Sequence, residues 1–186
     1  MQRKFKTAIL LASLAVASSL SAFDDKKEGF MISLGLGVAE TQSDFKKAYD
    51  WDTGKESEVG LASSIKLGYG FTDQFSLYLM RNSSFVFGYD NDPKNNDYGN
   101  CLTGVGMNYY LTPESDIYLM AAAGVGWFSE VSSNSKVDDG KAFLLGVGYE
   151  IYPHIHAEAT YLATRIDDDV KVNTDSFQLI LNYYWY

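Results

Sequence analysis

Polar and apolar residues alternate along most of the chain. Phe30, Ile32, Leu34, Leu36 and Val38 fall on one parity, with Met31, Ser33, Gly35, Gly37 and Ala39 on the other. The next segment sets Val59, Leu61, Ile65, Leu67, Tyr69 and Phe71 against Gly60, Ala62, Ser64, Lys66, Gly68 and Gly70. A third runs through Phe75, Leu77, Leu79, Phe85 and Phe87, and a fourth through Val105, Met107, Tyr109 and Leu111. The fifth carries Ile117, Leu119, Ala121, Ala123, Val125 and Trp127; the sixth carries Phe143, Leu145, Val147, Tyr149 and Ile151. A weaker seventh holds Ala157, Ala159, Tyr161 and Ala163, and the last holds Phe177, Leu179, Leu181, Tyr183 and Trp185. Successive side chains of a strand point to opposite faces, so these runs predict eight strands.

The connections alternate in length. Thr72-Asp73-Gln74, Thr112-Pro113-Glu114-Ser115 and Tyr152-Pro153-His154 read as tight turns. Between them lie long polar stretches near 40–58, 88–99, 129–141 and 166–174. Tight turns at one end and long loops at the other predict an all-β, eight-stranded antiparallel transmembrane β-barrel with an up-and-down meander. A soluble β-sandwich also alternates, but its outer face must be well solvated. Here the second face is mostly Gly, Ala and Ser, which suits the crowded interior of a narrow barrel. Aromatic residues gather at segment ends (Phe71 with Phe75, Tyr149 with Tyr152, Tyr183 to Tyr186), as interfacial girdles do.

Composition sharpens this picture. The 186 residues include 14 Tyr, 11 Phe, 3 Trp and 16 Gly but only 3 Pro, which is strand composition. The N-terminus reads differently: Arg3, Lys4 and Lys6 precede an apolar run from Ala8 to Leu20, followed by Ser21 and Ala22. That is the layout of a secretory signal peptide over residues 1–22. Its run is shorter than the roughly 20 apolar residues a membrane-spanning helix needs. The barrel domain is then expected over 23–186. Losing three cations and no acid takes the formal charge from −9 to −12, which argues against nucleic acid. Cys101 stands alone and forms no internal disulfide; a lone cysteine of this kind is read as a small apolar residue.

The stretch Gly146-Val147-Gly148-Tyr149-Glu150, with Pro153, Glu158 and Tyr161 beyond it, resembles the sixth and seventh strands of the OmpA-like and OmpX/Ail-like outer-membrane barrels. The ending Leu179-Ile-Leu-Asn-Tyr-Tyr-Trp-Tyr186 resembles the aromatic C-terminal signal read by the barrel assembly machinery of the Gram-negative outer membrane. In that family the final aromatic shares the outward face. In this chain that parity falls on Trp185 and leaves Tyr186 one residue past it. The resemblance implies a surface barrel in contact with lipid and lipopolysaccharide, and a charge network in its interior.

Candidate chemistry is sparse. Lys66, Glu150, Glu158 and His156 fall on the inward parity. A charge inside a narrow barrel must be paired, because desolvating it alone costs several kcal/mol, so Lys66 is expected close to Glu158 or Glu150. The bland reading is a plug that rigidifies the lumen; the functional one is a gate or ion path. Arg81 and Arg165 carry outward parity, where an arginine costs roughly 2–4 kcal/mol at the bilayer midplane and little near an interface. Each is expected either to meet lipopolysaccharide phosphates or to be turned inward by a local bulge. His154 and His156 beside Glu158 raise a lipid-modifying enzyme, but no serine lies beside a histidine with the right parity. The stretches holding Asp90, Asp92 and Asp97, Asp138 and Asp139, and Asp167 to Asp169 are acidic without the spacing of a calcium loop, and no cofactor motif is present. The first loop carries Phe45, Tyr49 and Trp51.

Three functions follow as expectations. The first is a non-enzymatic surface barrel that supports membrane integrity and presents loops for adhesion or a host ligand. The second is a small pore for ions or hydrophobic solutes. The third is a lipid-modifying enzyme.

Overall fold

The structure, a computed structural model, describes residues 27–46, 56–87, 98–130, 138–167 and 171–186. The expected signal peptide lies outside these residues, as do Tyr49, Trp51, Asp90, Asp92, Asp97, Asp168 and Asp169.

Eight strands form in sequence order: β1 Gly29–Lys46, β2 Glu56–Thr72, β3 Phe75–Val86, β4 Tyr98–Tyr110, β5 Ile117–Glu130, β6 Asp138–Tyr152, β7 Ile155–Asp167 and β8 Lys171–Trp185. Each pairs antiparallel with its neighbour, and β1 closes the sheet on β8 from Ile32↔Trp185 to Lys46↔Lys171. Following the register from Phe75 through Tyr109, Leu119, Val147, Ala159, Leu179, Val38 and Leu61 returns to β3 at Phe85. Phe85 lies ten residues further up the strand than Phe75, so the barrel is sheared by ten residues and its strands tilt by roughly 40°.

The barrel is inverted relative to a soluble protein. Leu36 is 75 % exposed, whereas Met31, Lys66 and Tyr184 are 0 % exposed. Leu, Val, Phe and Tyr cover the outside while Ser, Asn, Gly and charged residues fill the inside, the arrangement expected when the surrounding solvent is lipid.

The three tight turns have local causes. Thr72 Oγ1 accepts from the backbone N–H groups of Gln74 (3.2 Å) and Phe75 (3.0 Å), and Ser115 Oγ accepts from Ile117 N (3.0 Å). His154 takes a left-handed φ of 70°, a conformation that His adopts more readily than most residues. Its carbonyl accepts from Tyr184 N at 2.8 Å, tying this turn to the C-terminal strand.

The long polar stretches are shorter than the sequence suggests. Strands run through Lys46, Val86, Glu130 and Asp167 and begin again at Glu56, Tyr98, Asp138 and Lys171, leaving only 47–55, 87–97, 131–137 and 168–170 between them. Above the lipid both faces of a strand can be polar, so the ladder continues after the alternation has vanished. Tyr186 is not a dangling extra residue. It is inward-facing and stacks on Tyr184 with ring centroids 5.6 Å apart.

Candidate functional site

The lumen is built in layers. At its lower centre the Lys66 ammonium and the Glu158 carboxylate form a buried ion pair from β2 and β7. The same Glu158 oxygen accepts from the Tyr118 and Tyr184 hydroxyls, both at 2.7 Å, and Lys66 also donates to Tyr184 at 2.6 Å. The Lys66 nitrogen lies 5.1 Å and 5.4 Å from the ring centres of Tyr184 and Tyr78, within reach of their negative faces. Tyr78 donates to Asn108 Oδ1 at 2.7 Å, which extends the network to β4.

Glycines place these rings. Tyr78 is the cross-strand partner of both Gly68 and Gly106, and Tyr118 is the partner of Gly148. A Cβ on Gly148 would stand 2.0 Å from Tyr118 Cζ, and one on Gly106 would stand 2.3 Å from Tyr78 Cε2. Without side chains there, each phenol lies flat across its neighbour and carries its hydroxyl to the lumen centre.

Glu150 is not the partner of Lys66. It lies 3.5 Å from the ammonium of Lys27, which also donates to Ser115 O at 2.9 Å and sits 3.9 Å above the Tyr110 ring. The Lys27 backbone N–H donates to Asp73. Lys27, two residues ahead of β1, thus ties three parts of the turn end across the mouth of the barrel. His156 packs against Tyr184 (4.2 Å) and Tyr118 (5.6 Å), with Nε2 at 3.4 Å from the Tyr186 hydroxyl and 4.0 Å from Glu150. Its nearest polar contacts are a phenol and a carboxylate. His154 stacks on Tyr183 at the rim.

Toward the loop end a second network joins Thr41, Ser84, Ser176, Asn100, Thr174 and Thr164 at 2.6–3.3 Å, all of them 1 % exposed or less. Above it Val86, Tyr98, Phe128, Ile166 and Val172 form an apolar cluster.

On the outer wall, Arg81 and Arg165 both keep their outward parity in unbroken ladders (Ile65↔Arg81↔Thr103 and Lys141↔Arg165↔Asn173). The bulge alternative is therefore set aside for both. Arg165 is held by Asp175 (2.7 Å), which also accepts from Tyr161, and by the carbonyls of Thr164 and Thr174. Arg81 is exposed, and among the described residues no carboxylate pairs with it. It stands six residues above Phe75, which at roughly 2.5 Å of climb per tilted residue puts its Cα about 15 Å above the turn in a lipid band about 25 Å tall. Ser83 and Cys101, which pair across β3 and β4, stand one step higher on the same wall.

Sequence reasoning missed Lys27, Tyr78, Tyr118, Tyr184, Asn108 and Tyr186. The available signal was large phenols at Tyr78, Tyr118 and Tyr184 on a parity rich in Gly, Ala and Ser. Among the described residues no cluster of three His, Cys, Asp or Glu is placed to hold a metal ion.

The fold recurs in solved outer-membrane proteins. Ail, the attachment invasion locus protein of Yersinia pestis, in complex with the heparin analogue sucrose octasulfate, is 18% identical with a TM-score of 0.59. That match covers 84% of this chain and 99% of Ail. Neisserial surface protein A is 20% identical with a TM-score of 0.56, covering 83% of this chain and 96% of its own. OprG of Pseudomonas aeruginosa is 15% identical with a TM-score of 0.51, covering 87% and 98%. No curated protein matches the chain by sequence. Residues 8–184 match the family described as the outer membrane protein beta-barrel domain. With a closed eight-stranded barrel that is apolar outside and polar within, the chain belongs to that family and resides in the outer membrane of a Gram-negative bacterium.

Proposed function

We propose that the chain is a closed, non-enzymatic barrel that reinforces the outer membrane and presents its loops for adhesion or host contact. The observation that carries this reading is the lumen. It is blocked below by Lys66, Glu158 and three tyrosines, and above by the apolar cluster of Tyr98, Phe128 and their neighbours. A conducting path would have to break both layers. The Lys66, Glu158, Glu150 and His156 groups are accordingly read as a structural plug, and Arg81 as the wall residue that meets lipopolysaccharide phosphates.

The loop ligand has a direction of charge. Ail binds a sulfated sugar analogue. The loop-end stretches of this chain hold Asp90, Asp92 and Asp97, Asp138 and Asp139, and Asp167 to Asp169. That composition suits a cationic surface, or contacts bridged by divalent ions, better than a polyanion.

Planar-bilayer recording of the refolded chain tests the plug. The expected result is a membrane without conductance steps; reproducible steps would establish the pore reading instead. Binding of cells displaying the barrel to host-cell layers, with and without loop replacement, tests the loop assignment.

A further inference from the structure

The ammonium of Lys27 sits in a cage at the turn end. Ser115 O accepts from it at 2.9 Å, Glu150 Oε2 stands 3.5 Å away, and the centre of the Tyr110 ring lies 3.9 Å from it. Each wall is held by its own element. Tyr110 N donates to Gln74 O, Ser115 N to Thr112 O and Glu150 N to Asp116 O, so none of the three depends on Lys27 for its position. The occupant arrives on a strap. Gly29 turns the chain with a left-handed φ of 113° at the first residue of β1, and the strap crosses β2 at Gly70, where a Cβ would collide with the Lys27 carbonyl. The Lys27 and Glu150 side chains remain 14 % and 16 % exposed, so the cage opens to the turn side, which in this fold faces the periplasm.

The walls define the guest. A carboxylate, a carbonyl and an aromatic face together suit an ammonium that carries N–H groups. A divalent metal calls for a shell of oxygens, and the ring offers none. Lys27 uses both of its nitrogens, because its backbone N–H donates to Asp73 Oδ1 at 3.2 Å. Those nitrogens are joined by Cα and the four-carbon stem of the side chain, a five-carbon chain in all. Asp73 on one turn and Glu150 with Ser115 O on the other side are therefore set at the span of a five-carbon diamine. A second ammonium would meet the Asp73 carboxylate as a charge, which a backbone N–H does not. Glu114 and Asp116, in and beside the turn that carries Ser115, add to the negative potential at this mouth.

We propose that the turn-end mouth is a binding site for a short aliphatic diamine, and that Lys27 is its tethered occupant. The chain's own lysine fills the site until a free diamine displaces it, with one ammonium on Glu150, Ser115 O and the Tyr110 face and the other on Asp73. The site is separate from the loops and from the Lys66–Glu158 plug, so it stands whatever the loops bind.

Backbone amide shifts of Ser115 and Glu150, followed by NMR on the full barrel in zwitterionic micelles, test it. In Lys27→Ala, pentane-1,5-diamine is expected to move both shifts saturably and to bind roughly tenfold or more tighter than in the wild type, because the tethered ammonium no longer competes. Pentylamine, with one ammonium, is expected to bind this variant more weakly than the diamine. The same five-carbon chain ending in two trimethylammonium groups has no N–H for Ser115 O and is expected to bind weakest. Equal affinities of wild type and Lys27→Ala, or of diamine and pentylamine, would overturn the proposal. So would diamine binding that is unchanged when Glu150→Gln is added to Lys27→Ala. Gly29→Ala keeps Lys27, meets no neighbouring atom and strains the hinge, so its affinity is expected to lie between those of the other two proteins. An affinity no higher than that of the wild type would overturn the role of the strap.

Discussion

Lys66 and Glu158 are 92 positions apart in the sequence and meet inside the barrel, where both are all but inaccessible to solvent. The pair joins β2 to β7 and lies beside the β1–β8 seam that closes the sheet. Removing one partner leaves a buried charge, which typically destabilises by 3–5 kcal/mol. Lys66→Met and Glu158→Gln are each expected to lower the heat-modifiability midpoint, while the double substitution Lys66→Met with Glu158→Gln recovers most of the loss. A double variant as unstable as the sum of the singles would mean that the two groups act separately.

The glycine–tyrosine contacts give a second prediction. Gly148→Ala places a methyl where the Tyr118 ring now lies, so the ring must move and its bond to Glu158 must stretch or break. Overpacking of this kind costs about 1–3 kcal/mol. In a Tyr118→Leu background the same alanine should be nearly neutral. Urea unfolding of the wild type and the three variants checks this; equal penalties in both backgrounds would place the strain elsewhere.

A third prediction concerns the turn-end mouth. Lys27 holds Glu150, Ser115 and the Tyr110 face, and Glu150 stands beside His156. Lys27→Ala should open a path to the lower lumen while leaving the barrel closed. The expected readout is faster modification of His156 by diethyl pyrocarbonate, followed by mass spectrometry, with an unchanged gel shift. An unchanged rate would mean that the tyrosines alone seal the mouth.

The sequence revealed the barrel more fully than its interior. Alternation shows the strands because lipid enforces a strict apolar face, and Leu34, Leu36 and Val38 obey it without exception. It fails where lipid ends: Thr41 and Ser43 continue β1 on the inside, and Glu40 is already polar on the outside. Parity put Lys66, Glu158 and His156 indoors, but pairing across the lumen depends on the shear, which no single strand encodes. Lys27 was invisible because it precedes the first alternating run. Its role comes from the turns it bridges, not from any pattern it belongs to.

The last prediction separates the two outer-wall arginines. Arg81 faces lipid about two-thirds of the way up the band, by the rough climb of a tilted strand, without a carboxylate among the described residues. In vesicles of phosphatidylcholine alone, Arg81→Leu is expected to stabilise the barrel by about 2 kcal/mol, because the cation no longer has to reach an interface. With lipopolysaccharide in the outer leaflet the wild type gains phosphate partners, and the difference should shrink or reverse. Arg165→Leu should instead destabilise in both membranes, because Asp175 and Tyr161 lose the guanidinium they share. Urea unfolding in the two vesicle types reads all three proteins. If Arg81→Leu keeps the same advantage with lipopolysaccharide present, Arg81 makes no phosphate contact.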